Sequence, residues 1–193
     1  MKYKTKKGDL VMLMYIIIGI VALIVIYVLS LYNGLVKINN RVQEAFSTMD
    51  VYLKKRWDLI PNLVETVKGY AKHEEGTLQN IVKLRSGAYD GMTDEEKIKT
   101  NEALSSNIGK LMVLVENYPD LKASDNFRDL TNQLSKIEDD IANSRKYYNG
   151  TVKLFNDKVQ VFPNNIFAGM FGYTTKKMFE TSSAERENVQ VKF

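Results

Sequence analysis

Ser124 to Phe155 reads SDNFRDLTNQLSKIEDDIANSRKYYNGTVKLF, and its spacing decides the fold. Phe127, Leu130, Leu134, Ile137, Ile141, Ser144, Tyr148, Thr151 and Phe155 recur at alternating steps of three and four. That is the stripe of a helix laying one narrow face on other helices, a coiled-coil-like seam with two polar d-type positions. Val152 and Val159 show the stripe drifting toward a 3.6-residue period by its end, as in a globular bundle. Ser124 stands where a cap belongs.

The same periodicity extends toward the N-terminus. Thr93-Asp94-Glu95-Glu96 fits a capping box, so a helix starts there, carries Ile98, Leu104, Ile108, Leu111 and Val115, and stops before Tyr118-Pro119. Further back, Ile38, Val42, Ala45, Met49, Tyr52, Arg56, Leu59, Leu63, Val67 and Tyr70 form one helical stripe. Pro61 interrupts it, which predicts a kink or break around residues 57–61, with Asp58 capping a restart at Leu59. Glu74 to Tyr89 reads as a further helix, weakened by Gly76 and ended by Asp90-Gly91. No β pattern competes within residues 35–160. The predicted class is all-α, an antiparallel bundle of three to four long helices over residues 33–163.

Ahead of the bundle, Leu10 to Leu31 is LVMLMYIIIGIVALIVIYVLSL, and no charge occurs between Asp9 and Lys37. At a rise of ~1.5 Å these residues span about 33 Å, matching a hydrocarbon core of ~30 Å. The run exceeds a signal-peptide core, and Ser30-Leu31-Tyr32 offers no small-x-small cleavage site, so residues 10–32 read as an uncleaved single-pass transmembrane helix. Tyr32 suits the far interface. Residues 1–9 form a basic flank, whose Lys2, Lys4, Lys6 and Lys7 outweigh Lys37 and Arg41 beyond the span. The positive-inside bias therefore favours a cytoplasmic N-terminus and an exported body.

The chain has 193 residues, 45% hydrophobic and 26% charged, with no Cys and one His, which suffices for one domain with a core and excludes thiolate chemistry, disulfides and most zinc centres. The net charge of +4 is concentrated in the first nine residues, which carry +3; a near-neutral body offers no basic stripe for nucleic acid. His73-Glu74 begins like a zincin helix, but Thr77 occupies the second histidine position. Phosphate-binding glycine loops and the G-x-S-x-G elbow are missing from the sequence. Glu138-Asp139-Asp140 point different ways on a helix and read as a solvated face. The sequon Asn149-Gly150-Thr151 falls within the seam. No catalytic, cofactor-binding or metal-binding residue is assigned.

Arg56 lies on the apolar stripe between Tyr52 and Leu59. Either its stem packs while its head reaches water, or it is buried against a carboxylate, with Glu102, Glu138 and Asp139 as candidates. In the latter case the pair fixes helix register. The apolar segment 164–173, NNIFAGMFGY, either packs on the bundle end or dips into a bilayer surface. Residues 174–193 are predicted to be a flexible tail, in which Val189, Val191 and Phe193 alternate like a strand-addition ligand for a partner's sheet edge or carboxylate pocket.

Two separated motifs carry a resemblance. RWDLIPNLVETVKGYAKHE, Arg56 to Glu74, resembles the signature of the LemA family of bacterial membrane proteins, with Arg56, Asp58, Pro61, Asn62, Gly69, Tyr70, His73 and Glu74 as its marks. Tyr118-Pro119-Asp120-Leu121-Lys122-Ala123, followed by Arg145, Tyr148 and Asn149, is similar to the family's later stretch. The resemblance covers the chain after residue 10 and implies one transmembrane helix and an antiparallel helical body. It implies a non-enzymatic scaffold or assembly factor that self-associates or recruits a partner, with membrane metalloproteases and TPM-domain proteins as candidates. A relative in magnetosome bacteria is associated with membrane shaping, so the alternative is a membrane-remodelling protein whose bundle lies on the bilayer.

Overall fold

The computed structural model describes residues 7–71 and 75–179. Among them are six α-helices and no strand: α1 Lys7–Tyr70, α2 Glu75–Leu84, α3 Asp94–Val115, α4 Pro119–Ala123, α5 Asp125–Gln160 and α6 Asn164–Met170, with a 3-10 turn at Tyr89–Gly91. The fold is all-α with a long apolar helix at the N-terminus, as the periodicity predicts. His73, Glu74, Val189, Val191, Phe193 and residues 1–6 of the basic flank lie outside the described residues.

Two compact units share the two longest helices. The second, the described residues from Glu44 to Asn149 with Met178 and Phe179, is an up-down-up-down arrangement. Phe46 meets Tyr148, and ten residues further along α1 Arg56 meets Glu138, ten residues back along α5, so these helices are antiparallel. Asp50 bonds Lys97 and Arg56 bonds Asn101 and Ser105, both numbers rising together, so α1 and α3 run parallel. Met49, Leu53, Ile60, Leu63, Leu104, Leu111 and Ile141 are buried between them. The α5 stripe is on the inside, with Phe127, Leu134, Ile141, Ser144, Tyr148, Thr151 and Phe155 buried and Leu130 and Ile137 half-buried.

Thr93 closes the predicted capping box at the start of α3. Its hydroxyl accepts from the Glu96 amide at 3.3 Å, while its own amide donates to Glu96 Oε2 at 2.7 Å. The Thr93 amide, and after it the Thr93 hydroxyl donating to the same oxygen at 2.9 Å, hold the Glu96 carboxyl below the usual range. Pro119 then occupies the first position of α4, where its missing N–H leaves no intrahelical bond unmade.

Three expectations are corrected. Of the kink or break expected at Pro61, the break is absent: the proline removes one backbone bond, but Trp57, Ile60, Leu63 and Val64 are buried on both sides of it, and packing carries the helix through. Asp58 caps nothing there and instead accepts from Lys54 Nζ at 2.6 and 2.7 Å. The helix after residue 74 ends at Leu84, five residues short of Tyr89, because Tyr89 leaves the helical path to bury its ring against Trp57.

The third concerns the chain after residue 173. Residues 174–179, expected to be mobile, are strapped to α5. Asn156 exchanges two hydrogen bonds with the Lys176 backbone at 2.9 and 2.8 Å, and Asn149 does the same with Phe179 at 2.9 and 2.8 Å. An asparagine amide offers a donor and an acceptor in one plane, the pattern of an extended backbone residue.

The first unit, α1 up to Gln43 with Gly150–Lys177, has Leu35, Val42, Val152, Phe155, Val159 and Ala168 in its core. α6 closes in a Schellman arrangement: Gly172 has φ +77°, its N–H donates to Gly169 at 3.1 Å, and the Tyr173 N–H donates to Ala168 at 2.9 Å. Only glycine adopts that φ cheaply, which explains the Phe-Gly-Tyr ending of the apolar segment.

Candidate functional site

Arg56 is the only charged side chain among the described residues that is fully buried, at 0% exposure. Its five N–H donors make five hydrogen bonds. Nε and Nη2 donate to Asn101 Oδ1 at 3.1 and 2.6 Å, and Nη2 donates again to the Asn101 carbonyl at 2.7 Å. Nη1 donates to Ser105 Oγ at 2.7 Å and to Glu138 Oε1 at 2.5 Å. Of the three carboxylates named from sequence, Glu138 is the partner, and its side chain is 39% exposed. One arginine on α1 thus ties α3 and α5 together from inside.

Asn101 extends the network. Its Nδ2 donates to the Lys97 carbonyl at 2.9 Å, and Lys97 Nζ reaches Asp50 Oδ2 at 2.8 Å. The Tyr89 hydroxyl donates to the other oxygen of Asp50 at 2.6 Å, and its ring sits 5.3 Å from Trp57 with Lys97 Nζ over its face at 4.9 Å. Burial first, then the hydrogen bond to Asp50 and its negative charge, push the Tyr89 hydroxyl well above the ordinary tyrosine range. Two cations, Arg56 and Lys97, face two anions, Glu138 and Asp50. With every Arg56 donor engaged, this cluster has the form of a structural clasp.

The other signature residues do not converge on it. Arg145, Tyr148 and Asn149 gather on α5 around Phe179: the Arg145 guanidinium lies 5.2 Å over its ring, Tyr148 meets it edge-on at 5.6 Å, and Asn149 holds its backbone. Burial raises the Tyr148 hydroxyl, and the charge of Asp94 adds to the effect. Tyr118 and Pro119 begin α4. Pro61 is half-buried, whereas Asp58, Asn62, Gly69 and Tyr70 are exposed on α1. Asn62 makes no side-chain hydrogen bond to the described residues; only its carbonyl accepts, from Thr66.

Sequence reasoning missed Asn101, Ser105, Asp50, Tyr89 and Lys97. Asn101 was findable, because a polar residue falls three positions before Leu104 on the buried face of α3. Among the described residues no group of three His, Asp or Glu is placed to hold a metal ion. An open groove of about 620 Å³ beside the end of α1 and α2 is lined by Lys68, Ala71, Leu78, Gln79, Val82, Lys83 and Ser86, which supply amines, an amide and a hydroxyl but no carboxylate.

A long apolar helix leading into a bundle clasped by a buried arginine is the form of an all-α protein with one helix long and apolar enough to cross a membrane. Comparison of sequences agrees: residues 45–193 match the LemA family, and the chain belongs to that family. It is 28% identical to Protein LemA of Metamycoplasma hominis over 158 residues, 81% of this chain and 72% of that protein. It is also 23% identical to Magnetosome protein MamQ 2 of Paramagnetospirillum magneticum over 204 residues, 92% of this chain and 75% of that one. Magnetosome protein MamQ of Magnetospirillum gryphiswaldense is 22% identical over 179 residues, 79% of this chain and 66% of that one.

Proposed function

We propose that this protein is a non-enzymatic, membrane-anchored scaffold that holds a partner membrane protein, or a second copy of itself, on the outer face of α1. One observation carries the reading. Lys55, Asp58, Asn62, Glu65 and Gly69 recur at steps of three and four along α1 and are all exposed, while the opposite side of the same turns, Arg56, Ile60, Leu63 and Val67, is buried. Signature residues therefore occupy both sides of one helix. The inner ones hold the bundle, and the outer ones, Asn62 and Gly69 above all, satisfy no requirement inside it.

The saturated Arg56 cluster supports the non-enzymatic part, since none of its N–H groups is left to orient a substrate. The lysine distribution about the apolar span supports a body outside the cytoplasm. Membrane metalloproteases and TPM-domain proteins are the partner classes to examine first.

The test compares the full chain with its Asn62→Arg variant in crosslinked membranes, after circular dichroism has shown that the variant keeps its helix content. Loss of a co-purifying band in the variant is the expected result. An unchanged set of bands refutes the outer-face reading.

A further inference from the structure

The apolar run of α1 and the short helix α6 meet at a defined depth. Tyr27 Oη donates to Asn164 Oδ1 at 3.2 Å, the Tyr27 and Phe167 rings pack edge-on at 6.5 Å, and Tyr32 packs on Phe171 at 5.0 Å. Leu31 and Ala168 are buried in the same unit. Tyr27 stands four residues inside the end of the run at Leu31, about 6 Å along the helix axis. Where α1 crosses a bilayer, α6 is therefore held at the boundary between headgroups and acyl chains, the ~5–10 Å zone occupied by interfacial helices.

The rest of α6 has the chemistry for that zone. Ile166 and Met170, four residues apart on α6, are 53% and 75% exposed, and Phe162 in the turn just before it is 75% exposed. No charged residue occurs from Val161 to Tyr173, and lysines resume on either side at Lys158 and Lys176. The Lys158 ammonium lies against α1 at Gly34, where an added Cβ would meet Nζ. With Lys37 it puts positive charge a turn or two beyond the apolar zone, at headgroup level.

We infer that α6 is a second membrane contact, an interfacial helix whose Ile166 and Met170, with Phe162 in the turn just before it, enter the leaflet that α1 leaves, with Lys37 and Lys158 beside anionic headgroups. The inference rests on α1 spanning the membrane and goes beyond a simple tether. A unit fixed at two points, α1 and α6, takes one rotational setting about the α1 axis at the surface. Continuity with the exposed surface of Leu10–Tyr32 selects lipid as the occupant over a protein partner.

The cysteine-free chain suits a direct test. Single variants Ile166→Cys, Met170→Cys, Leu23→Cys and Val113→Cys of the full chain are labelled with an environment-sensitive fluorophore and reconstituted in phosphatidylcholine–phosphatidylglycerol vesicles. Brominated lipids are the quencher. The expected result is quenching at positions 166 and 170 comparable to that at position 23, with none at 113. Quenching at 23 alone overturns the inference and leaves the anchor standing; a blue-shifted but unquenched label at 166 and 170 overturns it in favour of a protein occupant. No quenching at 23 removes the span and the inference together.

Discussion

Asn101 accepts three of the five hydrogen bonds that Arg56 donates, two on its side-chain oxygen and one on its own backbone carbonyl. A single α3 residue thus satisfies one edge of a guanidinium that rises from α1 into the core. Sliding α1 by one turn, ~5.4 Å, would leave that charge buried without acceptors, so the cluster selects one register among the many that an aliphatic stripe permits.

Arg56→Ala is expected to lower unfolding free energy by roughly 3–5 kcal/mol, because it strips the partner from Asn101 and opens a cavity. Arg56→Lys keeps the charge but not the five-donor fork, and a loss of about 1–3 kcal/mol is expected. Denaturant unfolding in detergent checks both. Wild-type stability in Arg56→Lys would show that the fork geometry contributes nothing.

The partners should rank by burial. Asn101 is fully buried, so Asn101→Ala leaves guanidinium donors unpaired and costs roughly 2–4 kcal/mol. Glu138 reaches solvent, and Glu138→Gln should cost about 1 kcal/mol or less. The reverse order in thermal melts would place the core of the clasp at the α5 end.

Alkaline pH offers a separate handle on Tyr89. Its pKa is raised by folding, so its contribution is complete below the unfolded tyrosine value, about 10, and is lost as pH rises beyond it, where only the unfolded chain gives up the proton. Tyr148 adds a slope of the same sign. Melting temperature should fall from about pH 10 upward, and more gently in Tyr89→Phe. An unchanged slope in that variant would detach Tyr89 from the alkaline transition.

The strap after residue 173 predicts a proteolysis phenotype. Asn156→Ala removes both hydrogen bonds to the Lys176 backbone, and tryptic cleavage after Lys176 should accelerate while the melting temperature of the bundle changes little. Cleavage at the wild-type rate would mean that the ring contacts of Phe155 with Tyr173 and Lys176 hold the segment without the asparagine.

How far the sequence carries this account depends on the kind of interaction. Periodicity finds the α5 face and the Thr93 box because both are local: the first is a repeat of burial and the second spans four residues. The break expected at Pro61 fails for the opposite reason, since local backbone cost is overruled by the burial of Trp57 and Leu63 on either side of it. Arg56 was visible as an anomaly on an apolar stripe and Glu138 as one of three candidate acceptors, yet Asn101 lies 45 residues away and asparagine carries no periodic signal. The Asn149 and Asn156 straps were illegible because residues 174–179 are polar and aperiodic, and two backbone-mimicking amides order them.

The central claim is that the outer stripe of α1 holds a protein. A photo-crosslinking amino acid placed at Asn62 of the full chain, with Val113 on the exposed side of α3 as reference, tests it most directly in native membranes. The account predicts a discrete higher-mass adduct from position 62, either a dimer or one defined partner, and none from position 113. Equal adduct patterns from both positions, or no protein adduct from position 62, would contradict it.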